Sequence, residues 1–254
     1  MILDYLHLEG KNALVTGSRR GLGAAIAIAL AEAGANVGCH GREKNGGEVG
    51  DEIRRHGRKT FYFAGDVTDA AACAAMIEKT VAEFGSIDIL INNAGIIRRK
   101  PAHEHSMADW NDVIAADLTA VFRLAQLAGQ RMIAQGRGGK IVNIASLLSF
   151  QGGMFVPGYA AAKGGVAQLT KALANEWAPY NINVNAIAPG YMVTDNTEAL
   201  RNDPARSKQI LDRIPAGRWG TPQDLAGAAV FLASPASDYV NGHILAVDGG
   251  WLGR

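Results

Sequence analysis

Seven short apolar runs alternate with longer, alanine-rich stretches of helical period, and few architectures accept that order. The runs are NALVT at 12–16, NVGCH at 36–40, TFYFA at 60–64, IDILI at 87–91, KIVNI at 140–144, INVNAI at 182–187 and HILAV at 243–247. The helical stretches lie near 21–33, 47–56, 69–84, 106–134, 158–178 and 222–234. Strands separated by helices are joined by crossovers and so pair in parallel, with both sheet faces covered. The sequence therefore predicts an α/β fold, a doubly wound (Rossmann-type) parallel sheet of about seven strands.

A sheet of this kind accommodates 254 residues as one domain, and no linker, repeat or low-complexity tract marks a second. The alternation is interrupted once, by a polar, amphipathic segment at about 191–221 that follows the sixth strand. Ligands of open α/β sheets bind beyond the carboxyl ends of the strands, so this insertion reads as a lid or substrate loop.

The net charge of +1 and the absence of a long Lys/Arg run argue against nucleic acid as a partner. The N-terminus MILDYLHLEGK lacks the basic and apolar regions of a signal peptide, and no apolar run is long enough to span a membrane, which leads us to expect a cytoplasmic protein. Cys39 and Cys73 lie in apolar or alanine-rich stretches and read as buried free thiols. His103 and His105 have the spacing of a metal pair but no third ligand stands out, so no metal is expected.

Two stretches carry candidate chemistry. Directly after the first strand comes TGSRRGLG, in which Gly17, Gly21 and Gly23 would let the backbone turn tightly and approach a pyrophosphate at a helix N-terminus. Gly17, Ser18, Arg19, Arg20, Gly21, Leu22 and Gly23 are thus read as a dinucleotide phosphate loop; no Gly-Lys-Ser/Thr ends it, which disfavours a nucleotide triphosphatase. The second is SLLSFQGGMFVPGYAAAK, residues 146–163. If the run from Gly158 is helical, Tyr159 and Lys163 share one face, with Ser146 free to approach from a loop.

These motifs occur in one order with NNAG at 92–95 and the Pro189-Gly190 pair followed by Thr194, and over essentially its whole length the chain resembles the short-chain dehydrogenase/reductase family. The resemblance implies that Tyr159 is a general acid/base, that Lys163 favours its phenolate and binds the nicotinamide ribose, and that Ser146 holds the substrate oxygen. That division is chemically sensible, because a free tyrosine titrates near ~10 and a neighbouring ammonium favours the charged phenolate. It further implies that Asp66, beside Val67, meets the adenine amino group. Asn92, Asn93, Ala94 and Gly95 would line the adenosine ribose side, and Ile187, Pro189, Gly190 and Thr194 the nicotinamide. Asp117 stands where the family usually carries an asparagine that supports a water-linked proton relay; it completes the catalytic set, and we expect the relay to survive with an altered pH profile.

The resemblance leaves the cofactor open between NAD and NADP. NAD-preferring relatives end the second strand with an acidic residue, whereas this chain has His40, Gly41 and Arg42 there and Arg19 and Arg20 in the loop, which suits a 2′-phosphate. The nearest branch of the family leans to NAD. That branch, resembled through NNAGIIRR, SLLSFQGG and IPAGRWGTP, acts on open-chain sugar acids. A sugar-acid carboxylate needs a cation, for which Arg98 and Arg99 are candidates, with Gln151 a further polar contact; the same arginines would also suit a subunit contact. Arg218 recurs across the family and reads as structural. A ketoacyl reductase of the same fold is the second reading, and a cofactor-binding sensor without turnover the third. The family also implies a homotetramer, with the helices at 106–134 and 158–178 pairing across one interface.

Overall fold

In the computed structural model, which describes residues 1–254, successive side chains of the first strand point into two different apolar layers. Ala13 and Val15 enter one and Leu14 the other, the period-two alternation of a strand covered on both faces. The strands are β1 (Asn12–Val15), β2 (Asn36–Gly41), β3 (Thr60–Ala64), β4 (Ile89–Asn92), β5 (Gly139–Ile144), β6 (Ile182–Pro189) and β7 (Ile244–Val247). All pair in parallel, in the spatial order β3-β2-β1-β4-β5-β6-β7. The chain reverses its winding between β1 and β4, and the carboxyl ends of these two neighbours open the crevice where such sheets bind ligands.

The helices are α1 (Gly21–Glu32), α2 (Val49–Arg55), α3 (Ala70–Phe84), α4 (Met107–Ile114), α5 (Ala120–Gln135), α6 (Pro157–Trp177), α7 (Glu198–Arg201), α8 (Pro204–Leu211) and α9 (Ala226–Ala233). One apolar layer is built from α1, α2 and α9, with Ile26, Leu30, Ile53 and Leu232 against Val15 and Val37. The other is built from α3, α5 and α6, with Met76, Leu124 and Trp177 against Leu14, Leu90 and Ile141. Local signals set the helix ends. The Asp69 carboxylate accepts from the Ala71 amide at 2.8 Å to open α3, and Gly85 closes it in the left-handed region at φ 87°. Pro157 starts α6 at a position where a missing N–H costs nothing.

The helix predicted at 106–134 is present as one helical path from Met107 to Gln135, with a wider turn inside it. Ala115–Thr119 forms a π-helical turn between α4 and α5, an irregularity that hydrophobic period cannot reveal because the apolar stripe resumes after it. The insertion at 191–221 is closed at its base by a bridge between Met192 and Gly220 and carries α7 and α8. It packs through Ile210 and Ile214 onto Leu147 and Trp251. Cys39 and Cys73 are both free and buried, on opposite sides of the sheet. No helix is long and apolar enough to cross a membrane.

Candidate active site

The loops after β1 and β4 are stitched together by a buried threonine and an asparagine. The Thr16 hydroxyl accepts from the Asn93 and Ala94 amides at 2.9 and 3.0 Å, and the Asn93 amide group donates to the Thr16 and Gly17 carbonyls at 2.8 and 3.0 Å. Gly17 has φ 62°, and a side chain there would come within 2.9 Å of the Ala94 backbone. At Gly23 it would come within 2.4 Å of the Gly17 carbonyl. Only glycine satisfies both positions, and the backbone cradle they leave at the N-terminus of α1 fits a pyrophosphate.

A cleft of about 740 Å³ runs from this cradle to α6. It gathers Gly17, Arg19, Arg20, Gly21, Leu22 and Gly23 with Arg42, Asp66, Val67, Asn93, Ala94, Gly95, Asp117, Tyr159, Lys163 and Thr194. A dinucleotide fits this lining, with a glycine cradle at the centre, Asp66 and Arg42 toward one end, and Tyr159 with Lys163 toward the other. Asp66 accepts from the Thr68 amide and hydroxyl, both at 2.8 Å through the same oxygen, and these bonds hold its carboxyl below the usual carboxylate range.

Several expected residues turn elsewhere. Ser18 is wholly buried and its hydroxyl accepts from the His40 amide at 3.0 Å, so its side chain braces the loop from within. Asn92 donates to Asn143 at 2.9 Å, which donates to Thr170 at 3.0 Å; its side chain joins β4 to β5 and α6, and Asn93 occupies the cleft instead. Ile187 lies in the apolar layer with no exposure. Pro189 and Gly190 end β6 beside β7, where a side chain at 190 would meet the Asp248 backbone at 2.6 Å; of the nicotinamide-side group Thr194 alone lines the cleft.

His40 does more than its place at a strand end suggests. Its Nδ1 accepts from the Gly17 amide at 3.1 Å and its Nε2 lies 3.1 Å from the Gly65 carbonyl, which assigns the proton to Nε2. Burial pushes the imidazole below its ordinary value, so the neutral ring ties the phosphate loop to the end of β3. The sequence signal was a lone polar residue at the end of an apolar strand, which also suits an ordinary buried histidine.

At the far end, Lys163 is buried on α6, and its ammonium donates to the Ile144 carbonyl at 2.8 Å and lies 5.5 Å from the centroid of the Tyr159 ring. Ser146, just beyond β5, opens a short turn, Leu147–Ser149, in which the Ser149 hydroxyl donates to the Lys163 carbonyl at 2.6 Å. This bond fastens the serine turn to α6 at Lys163. The arrangement suits proton transfer between a phenol and a substrate oxygen, with a cation fixed behind the phenol. Asp117, on the π-helical turn, accepts from the Ile96 amide at 2.7 Å and lies 3.5 Å from the Lys163 ammonium.

The two arginines expected near the substrate have separate fates, and of the two Arg98 lines the cleft while Arg99 lies outside its lining. Arg98 pairs with Asp112 at 3.2 Å and Asp109 at 3.5 Å. Arg99 donates to the Asn196 carbonyl at 2.8 Å and has no carboxylate partner; partial burial pushes its guanidinium down, and the hydroxyls of Tyr159 and Tyr191 oppose that shift. The segment is anchored by the Lys100 amide, which donates at 2.9 Å to the carbonyl of Phe155, a non-glycine residue held at φ 65° between Ser146 and Tyr159. Gln151 uses its carbonyl oxygen for Trp251 at 3.2 Å and Arg213 at 3.4 Å, which makes it a fastening between the serine turn, the insertion and the C-terminus. Arg218 forms a two-pronged pair with Asp224 at 2.7 and 2.8 Å, away from the cleft.

Comparison with known proteins agrees with this geometry. The family described as enoyl-(acyl carrier protein) reductase matches residues 17–252. The chain is 56% identical over 255 residues to the 2-dehydro-3-deoxy-D-gluconate 5-dehydrogenase of Dickeya dadantii, covering 100% of both chains. Among solved structures it is similar to an Agrobacterium tumefaciens protein, provisionally assigned as a 2-deoxy-D-gluconate 3-dehydrogenase and solved with NADP, at 56% identity and a TM-score of 0.93 over 98% of this chain and 99% of that one. It is also similar to a gluconate 5-dehydrogenase from Burkholderia cenocepacia in complex with NADP and tartrate, at 43% identity and a TM-score of 0.95 over 100% of both.

Proposed function

The chain belongs to the short-chain dehydrogenase/reductase family and is a nicotinamide-dependent oxidoreductase, and from that premise we propose that it interconverts a hydroxyl and a keto group on an open-chain sugar acid, 2-dehydro-3-deoxy-D-gluconate or 2-deoxy-D-gluconate. The observation that carries the substrate class is Arg99, a guanidinium beside the cleft without a carboxylate partner, whose charge is supported by the hydroxyls of Tyr159 and Tyr191. A substrate carboxylate bound there forms charge-assisted bonds that a neutral acyl chain lacks. Arg98 lines the cleft, but its charge is already neutralised by two aspartates.

In this reading the bound nicotinamide supplies or takes the hydride at the substrate carbon. Ser146 holds the substrate oxygen, Tyr159 gives it a proton in reduction or removes one in oxidation, and the fixed ammonium of Lys163 favours the phenolate that results. The same ammonium would hold the ribose hydroxyls of the bound cofactor. Asp117 stands behind Lys163.

NADP is the proposed cofactor. At the end of β2 stand His40, which is buried, and Gly41, so neither position carries the acidic residue that would bind a 2′-hydroxyl. Arg19 is engaged by Glu43 and Arg20 by Asp195, both at 2.8 Å. Arg42 is exposed and unpaired, suited to a 2′-phosphate. NADP-bound relatives support the same choice.

A homotetramer acting in the cytoplasm completes the proposal; Met107, Phe122 and Ile133 leave apolar surface exposed along α4 and α5 that subunit pairing would cover. The test is absorbance at the reduced-nicotinamide band with 2-deoxyaldonates, gluconate and their keto acids, NAD and NADP offered separately. Turnover of 2-deoxy-D-gluconate or its keto acid with NADP supports the proposal. A preference for gluconate moves it to the gluconate 5-dehydrogenase reading, and activity confined to acetoacetyl thioesters overturns it.

A further inference from the structure

Asp117 occupies an environment at odds with its charge. It lies in the π-helical turn between α4 and α5 and has no exposure to solvent. Such wide turns insert a residue into a helix and re-aim a side chain, and they recur at functional sites. One carboxylate oxygen accepts the Ile96 amide at 2.7 Å; the other, Oδ2, has no hydrogen-bond donor within the protein and faces the Lys163 ammonium at 3.5 Å. Gly95 crosses so closely that a side chain there would come within 2.8 Å of that oxygen. The ammonium is therefore close to both the Tyr159 ring and the carboxylate, and the Ile144 carbonyl fixes it there.

The surroundings contain little else that titrates. From α6 come Lys163 and Tyr159, and from α4 comes Asp112, already paired with Arg98 of the loop after β4. The guanidinium of Arg123 on α5 turns away to the Thr68 carbonyl at 3.1 Å, and β5 contributes the Ile144 carbonyl. Burial pushes the Asp117 carboxyl above the ordinary range, while the Lys163 charge and the Ile96 amide pull it down.

We infer that Asp117 is a positioning residue whose carboxylate, acting through Lys163, makes Tyr159 retain its proton to higher pH than an asparagine at this place would. The inference rests on the proton-transfer role proposed for Tyr159. The physical reason is that a carboxylate beside the ammonium cancels part of the positive potential that favours the phenolate. In reduction Tyr159 donates its proton to the carbonyl oxygen as hydride reaches the carbonyl carbon, so a tyrosine that stays protonated serves that direction over a wider pH range. In oxidation the same charge moves the rising limb of the rate profile toward alkali.

Two variants test this, Asp117→Asn and Asp117→Ser, each of which removes the charge and keeps an acceptor for the Ile96 amide. Phenolate absorbance of Tyr159, taken as the difference from Tyr159→Phe in the NADP complex, is titrated without any substrate, so a mistaken substrate leaves the measurement intact. The expected result is a midpoint lower by on the order of one pH unit in both variants, with the oxidative rate profile moving the same way and NADP affinity, read by NADPH fluorescence, little changed. A midpoint that coincides with wild type or rises in the variant that retains NADP binding overturns the inference. A difference spectrum with no phenolate step attributable to Tyr159, with turnover surviving Tyr159→Phe, overturns the underlying assignment of Tyr159 instead.

Discussion

Arg98 and Arg99 are adjacent and chemically identical, yet one spends its charge on Asp109 and Asp112 while the other keeps a single backbone acceptor. Arg99→Met is therefore expected to raise KM for a sugar acid by roughly 10- to 100-fold, the worth of a charge-assisted contact, and Arg98→Met far less. Steady-state kinetics of both variants on an aldonate and on a neutral carbonyl compound checks this, since loss of carboxylate recognition spares the neutral substrate. Equal losses on both substrates would assign Arg99 to scaffolding. Asn92 and Asn93 divide in the same manner, one into a buried ladder with Asn143 and Thr170, the other into the cleft. Motif spacing marked both pairs as a neighbourhood, but which member lines the cleft, Asn93 in one pair and Arg98 in the other, depends on local backbone direction, and residue identity carries no record of that.

Elements were legible where their ends carry chemistry. The Asp69 cap, the left-handed Gly85 and Pro157 at the start of α6 each mark a boundary close to its sequence expectation. The turn into α9 is similar: Thr221 and Asp224 form a reciprocal cap, with the Thr221 amide bound to Asp224 at 2.6 Å. Hydrogen bonds from Arg218 and the Thr221 amide hold the Asp224 carboxyl far below the usual range. Its folded-state value is depressed, so its stabilising effect is present above the ordinary carboxylate range and is lost as pH falls through the folded value. Asp224→Asn should lower Tm at neutral pH, with the gap to wild type closing in strong acid; a pH series of thermal melts reads this. A gap independent of pH would mean that shape, not charge, holds the turn. The π-helical turn at Ala115–Thr119 had no such marker, since no helix-terminating residue stands in it.

At the scale of the whole molecule, residues far apart in the chain close the substrate end together. Trp251 buries its ring with Leu147, Ile210 and Ile214, donates to Gln151 at 3.2 Å and lies under Arg213 at 4.0 Å. Arg254 reaches the Asp212 carbonyl at 2.9 Å. Trp251→Ala removes a buried aromatic, a change that costs about 3–5 kcal/mol in a core. It is expected to act locally, raising hydrogen exchange across 198–214 and KM for the substrate while the phosphate loop keeps its protection. Exchange that rises uniformly over the sheet would instead make Trp251 part of the global core. The sheet, its parallel winding, the glycine cradle and the Tyr159/Lys163 pair were all legible in the chain, because strand period, helix period and i,i+4 spacing are short-range properties written in neighbouring residues. Tertiary structure alone decided that Gln151 fastens the insertion, that His40 braces the phosphate loop, that Arg99 and not Arg98 is left uncompensated, and that Asp117 meets Lys163 on a widened turn. Each of these depends on which distant groups are within a few ångströms, and burial and charge pairing act only over that range.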